Sequence, residues 1–245
     1  MAKNKRRLPW PAAAVAQVLF VASLLSSALY LSWVSLSAVD FLYPLWYEVL
    51  NIGENIDRYG PENRFKRGFE DTDKAERLRL FGAIAEAVNQ GGQGLATIAY
   101  ADARGREIAL LREPERIHLE SVARLIDRLR AGAYLGLLLL VGTVAVLKLS
   151  GVALPSGRRV LVGVAVGAGL GTAVVLALGA ERVFYALHDW VFPAGEQWFF
   201  YYQESLMTTL MKAPDLFGAI AVALLLVALA WVVVLLTGVR WLLRE

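Results

Sequence analysis

The chain has 245 residues, 57% of them hydrophobic, and a formal net charge of +3. Its mean hydropathy of +0.50 is well above that of an ordinary soluble domain, which indicates a membrane protein. The small positive charge comes from basic residues at the ends of apolar stretches, so it marks membrane topology rather than a nucleic-acid partner. Because the chain has no cysteine, disulfide bonds and thiolate nucleophiles are excluded.

Four stretches contain no charged residue, and they cover residues 8–39, 131–147, 160–180 and 216–239. A helix needs about 17 to 25 predominantly apolar residues to cross the hydrocarbon core of a bilayer. The second stretch is the shortest, and Lys148 can extend it by reaching toward the headgroups. We therefore predict transmembrane helices at residues 10–36, 131–150, 160–180 and 216–239.

Basic residues near the ends of these helices predict their orientation, because Lys and Arg in short loops resist translocation. They lie before the first helix, between the second and third, and after the fourth: Lys3, Lys5, Arg6, Arg7, Lys148, Arg158, Arg159, Arg240 and Arg244. Residues 1–9, 151–159 and 240–245 are therefore expected to be cytoplasmic. Every acidic residue except Glu245 lies in residues 37–130 or 181–215. These two segments are expected on the outer side of the membrane.

The first apolar stretch also resembles a secretory signal peptide, since it follows a basic start and ends near the small residues Ser35 and Ser37. The apolar core of such a signal is about 7 to 15 residues long, and this stretch is roughly twice that length. An uncleaved membrane anchor is therefore the preferred interpretation.

The long outer segment, residues 37–130, is predicted to fold as a small cap. Its aromatic opening, residues 41–47, suits the membrane interface. Asp73 and Glu76 are typical of a helix start, and the glycine pair 91–92 is typical of a helix end. Apolar residues recur between them at helical spacing: Leu78, Phe81, Ile84 and Val88.

A hairpin and a second helix are predicted in the rest of the cap. Residues 95–100 and 106–111 flank a turn sequence that contains glycine, which favours two paired strands. Pro114 suits the first turn of a helix that runs to about Arg130. We expect this helix to lie along the membrane surface and to bend at residues 131–133 before the second span.

Glycines recur at every fourth position in two of the spans, at Gly163, Gly167 and Gly171 in the third and at Gly132 and Gly136 in the second. Such faces let helix backbones approach closely in lipid. Helix packing within one bundle is the preferred explanation, and a groove for a lipid or another ligand is the alternative.

His118 and His188 are the only two histidines, and the predicted topology places both on the outer side. Glu115 lies one turn before His118 and could orient or charge its ring. Around His188, nine of the 19 residues in 184–202 are aromatic, which taken alone is typical of an interfacial belt. Two histidines at one membrane face can act as base and acid, because imidazole titrates near neutrality.

Several common catalytic motifs are missing. The sequence has no Gly-x-Ser-x-Gly elbow, no Walker loop and no His-Glu-x-x-His, and neither histidine begins a His-x4-Asp acyltransferase motif. A zinc site made of both histidines with Glu115 or Asp189 is an alternative, although its ligands would come from separate segments. We expect no metal and no cofactor.

At these residues the sequence resembles a family of integral membrane proteins that includes the bacterial lipoprotein intramolecular transacylase. The similarity begins at Glu115-x-x-His118, followed by an acidic residue and Val122. It continues at His188 and at residues that lead into the last span: Phe192, Pro193, Trp198, Phe200, Leu210, Pro214, Asp215, Leu216 and Phe217. Where this chain has His118-Leu-Glu-Ser-Val122, the family often has His-Met-x-Asp-Val.

The resemblance implies a mainly α membrane protein of the bacterial cytoplasmic membrane, with four transmembrane helices and a small α+β extracytoplasmic cap. It also implies that His118 and His188 are catalytic, at the junction of cap and membrane. The implied reaction moves the sn-2 acyl chain of a diacylated lipoprotein to the amino group of its N-terminal cysteine. A lipoprotein substrate and membrane lipid are therefore the expected partners.

Elementary chemistry is compatible with that reaction. An α-amino group has a pKa near 7.7 to 8.0, so an imidazole can take its proton at modest cost. A second imidazole can protonate the departing glyceryl oxygen. Glu115 is predicted to belong to the substrate site and to orient a histidine. Weaker candidates for contact with the headgroup or the oxyanion are Tyr43, Arg64, Trp198 and Tyr201.

Two other functions are considered. In a non-catalytic membrane protein whose cap binds a lipid or protein partner, the histidines would be incidental. A transporter is disfavoured, because no predicted span has an ionisable residue in mid-run or is broken by proline.

Overall fold

The computed structural model describes residues 9–244, except for the side chains of residues 180 and 244. Four of the basic residues that predict the membrane orientation lie outside the described residues: Lys3, Lys5, Arg6 and Arg7. Within the described part, the chain forms nine α-helices: α1 Trp10–Ser37, α2 Tyr43–Val49, α3 Ile52–Tyr59, α4 Lys74–Asn89, α5 Glu113–Ser150, α6 Gly157–Leu178, α7 Ala180–Val191, α8 Leu206–Met211 and α9 Asp215–Arg244. Two short strands, β1 Ala99–Ala101 and β2 Glu107–Ala109, lie between α4 and α5.

Four helices, α1, α5, α6 and α9, are long and apolar enough to cross a membrane. Helices α1, α5 and α9 contain the predicted spans at residues 10–36, 131–150 and 216–239, whereas α6 covers the third predicted span only as far as Leu178. The predicted fold class of a mainly α membrane protein is confirmed. The expected break between a cap helix and the second span at residues 131–133 is wrong, because α5 is one continuous helix of 38 residues. A single glycine inside a helix costs only about 1 kcal/mol, which the unbroken hydrogen-bond ladder on both sides outweighs.

Two compact units can be distinguished. The first, here called the membrane unit, comprises Met1–Ser32, Arg130–Val191 and Leu225–Glu245. Its core is built on a stripe of α1 in which a buried residue recurs every fourth position: Ala16, Phe20, Leu24 and Ala28. This spacing keeps one face of the helix inward. Buried residues of α5, α6 and α9 complete the core: Leu140, Leu147, Val160, Val232, Leu236 and Val239.

The glycine faces of this unit differ. A Cβ added at Gly136 would lie 2.7 Å from the Ser26 hydroxyl, so this glycine permits close packing of α5 against α1. No described atom lies within 4 Å of a Cβ added at Gly163, Gly167 or Gly171. Within the described chain, the predicted packing face is therefore used at Gly136 and not along α6.

The second unit, here called the cap unit, comprises Trp33–Leu129 and Phe192–Leu224. Helix α4 begins as predicted, since the Asp73 side chain accepts a hydrogen bond from the Glu76 N–H at 2.8 Å. The predicted hairpin is also present, with β1 and β2 antiparallel and Tyr100 opposite Ile108. Helices α2, α3 and α8 were not predicted. Helices α2 and α8 pack against α4, and α3 packs against α2 and α8. The buried apolar residues of these four helices include Tyr43, Ile52, Ile56, Leu80, Phe81, Ile84, Leu206 and Leu210.

Hydrogen bonds join the two sequence segments of the cap unit. The Asn55 side chain donates to the Thr209 carbonyl at 2.8 Å, and the Lys212 ammonium donates to the Leu50 carbonyl at 2.6 Å. The N–H of Arg64 donates to the Gln203 carbonyl at 2.8 Å. The latter part of the predicted outer segment 181–215 is therefore folded against the cap, while its first part forms α7.

Candidate active site

His118 lies on α5, where residues on one face of the helix are buried in the cap unit. Glu115, His118, Leu119, Ala123 and Ile126 recur at helical spacing along this face. Two aromatic rings from the segment after α7 border the imidazole. The ring centroid of Phe192 is 4.7 Å away in an edge-on arrangement, and that of Phe200 is 6.3 Å away. The imidazole of His118 is thus bordered by an aromatic wall formed by Phe192 and Phe200.

A carboxylate contacts this imidazole directly, and it belongs to Glu196. The Oε1 atom of Glu196 lies 3.2 Å from Nδ1 of His118, and both side chains are about nine-tenths buried. The other oxygen, Oε2, accepts a hydrogen bond from the Ser121 hydroxyl at 2.5 Å. Arg124 in turn donates to the Ser121 oxygen at 2.6 Å. Four polar groups therefore form one continuous network.

This network has a chemical consequence for His118. A carboxylate beside Nδ1 favours the tautomer that carries its proton on Nδ1, and it stabilises the imidazolium if the ring gains a second proton. The nitrogen through which His118 would exchange a proton with a substrate is then Nε2. Such an arrangement leaves Nε2 for exchange with a ligand while a buried carboxylate holds Nδ1.

Glu196 reaches this position because of a tight turn. The N–H of Glu196 donates to the Pro193 carbonyl at 3.1 Å, and Gly195 adopts a φ of +88°. A turn with positive φ at its third residue strongly favours glycine there. The sequence Pro193-Ala-Gly-Glu196 carries this signal, but the partner lies 78 residues away along the chain, so sequence reasoning missed Glu196.

Glu115, which was expected to orient a histidine, instead faces Arg112. Its Oε2 accepts a short hydrogen bond from the Arg112 backbone N–H, and the Arg112 Nε lies 3.9 Å from the same oxygen. The carboxylate that the structure places beside Nδ1 of His118 is that of Glu196. Nearby, burial lowers the pKa of Lys66; the charge of Glu115 opposes this shift, and that of Arg112 adds to it.

The other predicted substrate contacts have different surroundings. Tyr43 is fully buried, stacks on Phe81 at 3.9 Å, and donates its hydroxyl proton to the Leu210 carbonyl at 2.7 Å. Burial raises the pKa of Tyr43, so the hydroxyl stays a donor. This environment is that of a core residue. Arg64 is exposed and forms an ion pair with Glu204 at 3.1 Å.

Two aromatic candidates lie after the turn at Glu196. The rings of Trp198 and Tyr201 each pack edge-on against Phe199, with centroids 6.3 Å and 5.1 Å from its own. Tyr201 is 61% exposed and Trp198 is half-buried. Both side chains therefore have surface that a ligand can contact.

His188 lies on α7, in the membrane unit. Its Nδ1 is 2.8 Å from the carbonyl oxygen of Phe184, one turn earlier, and its ring centroid is 4.0 Å from that of Phe184. A backbone carbonyl at Nδ1 again favours proton exchange through Nε2. Among residues 9–244, no group of three or more acidic or histidine side chains is arranged to hold a metal ion.

Comparisons with known proteins concern the fold. No protein-family model and no curated protein matches the chain. Solved structures of the membrane integral lipoprotein intramolecular transacylase Lit from Bacillus cereus do match it. One aligns with a TM-score of 0.66 and 17% identity over 96% of this chain and 98% of that chain.

Two further Lit structures, in which a histidine is replaced by Arg or by Ala, give TM-scores of 0.65 and 0.64 at 16% identity. They cover 96% and 95% of this chain, and 93% and 94% of their own. At this level of identity the likeness shows the fold. The chain thus has the fold of the lipoprotein intramolecular transacylase.

Proposed function

We propose that this protein is a membrane acyltransferase that converts a diacylated lipoprotein into its lyso form. The sn-2 acyl chain on the glyceryl group would move to the amino group of the N-terminal cysteine. The observation that carries the proposal is the buried pair of His118 and Glu196 against an aromatic wall, in a chain with the fold of a transacylase.

His118 is proposed as the base. Its Nε2 takes a proton from the α-amino group as the nitrogen attacks the carbonyl carbon of the ester. Glu196 stabilises the imidazolium that forms, as the buried acid does in a serine-protease triad. Because the neighbouring phenylalanines exclude water, the ester is protected from hydrolysis.

His188 is proposed as the second proton-transfer group. When the bond between the carbonyl carbon and the glyceryl oxygen breaks, that oxygen needs a proton, and an imidazolium can supply it. The products are then an N-acyl amide and a free sn-2 hydroxyl. His118 has gained one proton and His188 has given one up, so exchange with solvent, from His118 and to His188, restores the enzyme. Trp198 and Tyr201 remain candidates for contact with the substrate headgroup.

Both reacting groups belong to one substrate molecule, so positioning is expected to supply much of the rate. Well-oriented intramolecular reactions can reach effective molarities of roughly 10⁵ M or more. We further propose that the protein lies in the bacterial cytoplasmic membrane, with both termini cytoplasmic and the cap outside. The charge distribution in the sequence supports this orientation.

Mass spectrometry of the N-terminal peptide of a co-expressed lipoprotein tests the proposal. We expect the wild-type protein to yield an N-acylated lyso form, and His118→Ala or His188→Ala to yield the diacylated substrate. If the wild type never yields the N-acyl product, the enzyme assignment is wrong. If both variants still yield it, the roles of the histidines are wrong.

A further inference from the structure

Beside His118 lies a second set of buried polar atoms, which the proposed proton transfers do not use. Its two members are Arg112, just before α5, and Glu115, on the first turn of α5. Glu115 is fully buried. Arg112 is mostly buried, with its side chain 19% exposed. We call this set the Arg112–Glu115 pair.

Three atoms of this pair lack a hydrogen-bond partner among the described residues. They are Nε and Nη2 of Arg112 and Oε1 of Glu115, all shielded from solvent. Burial raises the pKa of Glu115, and the nearby Ser205 side chain and the Arg112 backbone N–H oppose this shift. Nε and Nη2 lie on the same edge of the guanidinium, so their N–H bonds point the same way. The nearest approach of the two side chains, Nε to Oε2, is 3.9 Å, too long for a hydrogen bond. Leaving such groups unpaired is costly, and native proteins rarely do so.

The surroundings place the pair next to the proposed reaction centre. The guanidinium carbon of Arg112 lies 4.5 Å from the ring centroid of Phe65 and 6.0 Å from that of Phe200. Phe200 also borders His118, with a centroid distance of 6.3 Å. Phe65 is 59% exposed, so the ring beside the guanidinium lies at the surface of the protein. One aromatic wall is thus shared by the histidine and the pair.

The chemistry of the unpaired atoms defines what they can bind. Two parallel N–H donors fit a planar group with an acceptor oxygen, and an unpaired carboxylate oxygen fits an N–H donor. A phosphate or a carboxylate offers only acceptors and would be repelled by Glu115. In an extended main chain, the N–H and the carbonyl of one residue point to the same side, so a polypeptide offers an N–H donor and an acceptor oxygen next to each other.

We infer that the Arg112–Glu115 pair binds the main chain of the lipoprotein just after its N-terminal cysteine, with Arg112 on a carbonyl and Glu115 on an N–H. The inference rests on the proposed function for the identity of the substrate. It assigns the pair to recognition of the polypeptide, while His118 acts on the amino group of the cysteine. Lys66 is already engaged, since its ammonium donates to the carbonyls of Ala109 and Leu110.

Binding of unreactive ligands tests this assignment separately from catalysis. Both ligands carry a cysteine with a dialkyl-ether glyceryl group, which cannot transfer an acyl chain. One continues for four residues of peptide, and the other ends in a methyl ester. For the wild-type protein in nanodiscs, we expect the peptide ligand to bind about 10- to 100-fold more tightly. Arg112→Met and Glu115→Gln should remove this difference and leave the affinity for the ester unchanged.

Matched variants at neighbouring positions supply the controls. Arg116→Met and Glu113→Gln make the same changes of charge on side chains that pair with each other at the surface, and they should keep the preference. Arg112→Lys retains the positive charge but lacks the two parallel N–H donors, so it should keep only part of the preference for the peptide ligand. This variant also replaces Arg112→Met in the test if Arg112→Met does not fold. Equal affinity of the wild type for the two ligands, or an equal loss for both in Arg112→Met, overturns the inference. A wild type that prefers the peptide but never forms the N-acyl product would overturn only the proposed reaction.

Discussion

The two units of the protein bury different kinds of polar side chain. In the described part of the membrane unit, the buried polar residues are all Ser or Thr: Ser23, Ser27, Ser32 and Thr143. The cap unit buries charged or ionisable groups as well, namely Arg77, Glu115 and His118. A neutral hydroxyl can bond to its own helix, as Thr143 does to the Leu139 carbonyl at 2.7 Å. A buried charge needs partners from other segments.

This difference shows where chemistry can be placed in such a protein. Charged groups are expensive in the hydrocarbon core, so a proton-transfer network is more readily built in the cap. The carboxylate beside His118 comes from a turn folded onto the cap unit. His188, on a helix of the membrane unit, is anchored by a carbonyl of its own helix. The Nδ1 of His118 is thus held by a carboxylate from a distant segment, and that of His188 by a backbone carbonyl one turn earlier.

The largest effect is expected from Glu196→Gln, which removes the carboxylate from His118. An amide can donate to Nδ1 and favour the wrong tautomer, and it stabilises the imidazolium less. We expect the rate of N-acyl product formation to fall about 10²- to 10⁴-fold, with KM little changed. Single-turnover assays with a synthetic diacylated lipopeptide measure both quantities.

Two variants control this experiment. Glu196→Asp keeps the charge and should retain part of the rate. Glu62→Gln makes the same chemical change at an exposed cap residue and should have wild-type activity. A Glu196→Gln variant that folds and reacts at the wild-type rate would remove the acid from the mechanism.

A purely structural effect is expected from Arg77→Met in α4. Arg77 is 6% exposed and donates to Thr72, Tyr47, Asp57 and the Glu70 carbonyl. Removing the guanidinium leaves several of these acceptors unpaired, and we expect a loss of about 3 kcal/mol in the free energy of unfolding. Thermal unfolding in detergent measures the change.

An exposed arginine on the same helix supplies the comparison. Arg79 pairs with Glu76 at the surface, so Arg79→Met should cost less than about 1 kcal/mol. Equal midpoints of thermal unfolding for the two variants would mean that the buried network of Arg77 adds no stability.

Local signals in the sequence predicted the parts of the fold that depend on local physics. The four spans follow from uncharged runs, the start of α4 from the Asp73 cap, and the hairpin from its glycine turn. The continuity of α5 was not predicted, because propensity at residues 131–133 is a weak effect within a long helix. Helices α2 and α8, of seven and six residues, are too short to show a clear hydrophobic period.

The candidate site was predictable only in part. Sequence alone singled out His118 and His188 because they are the only histidines, whereas Glu196 is one of many acidic residues. Its pairing with His118 depends on how two distant segments fold together, which no local pattern records. The same holds for Arg112, whose unpaired nitrogens become visible only when its neighbours are known.

Within the membrane unit, two glycines of similar sequence context should respond differently to valine. At Gly136 a new side chain would meet Ser26, whose Oγ and Cβ lie 2.7 Å and 3.2 Å from the added Cβ. We expect Gly136→Val to cost about 1 to 3 kcal/mol. Gly167→Val meets no described atom within 4 Å and should change stability by less than about 0.5 kcal/mol. Unfolding in mixed detergents, followed by tryptophan fluorescence, compares the stabilities of the two variants. A larger loss of stability for Gly167→Val than for Gly136→Val would indicate that α6 packs against a partner.

A small effect is expected from Tyr43→Phe, which separates packing from substrate contact. The hydroxyl of Tyr43 donates to the Leu210 carbonyl inside the cap unit, so its removal should cost about 1 kcal/mol of stability. Because the ring has no exposed surface, product formation per folded molecule should stay at the wild-type level. Tyr201→Phe is the reverse test, since the Tyr201 side chain is exposed, can contact a ligand and should matter little for stability. A Tyr43→Phe variant that keeps its unfolding midpoint but loses activity would place Tyr43 at the substrate and not in the core.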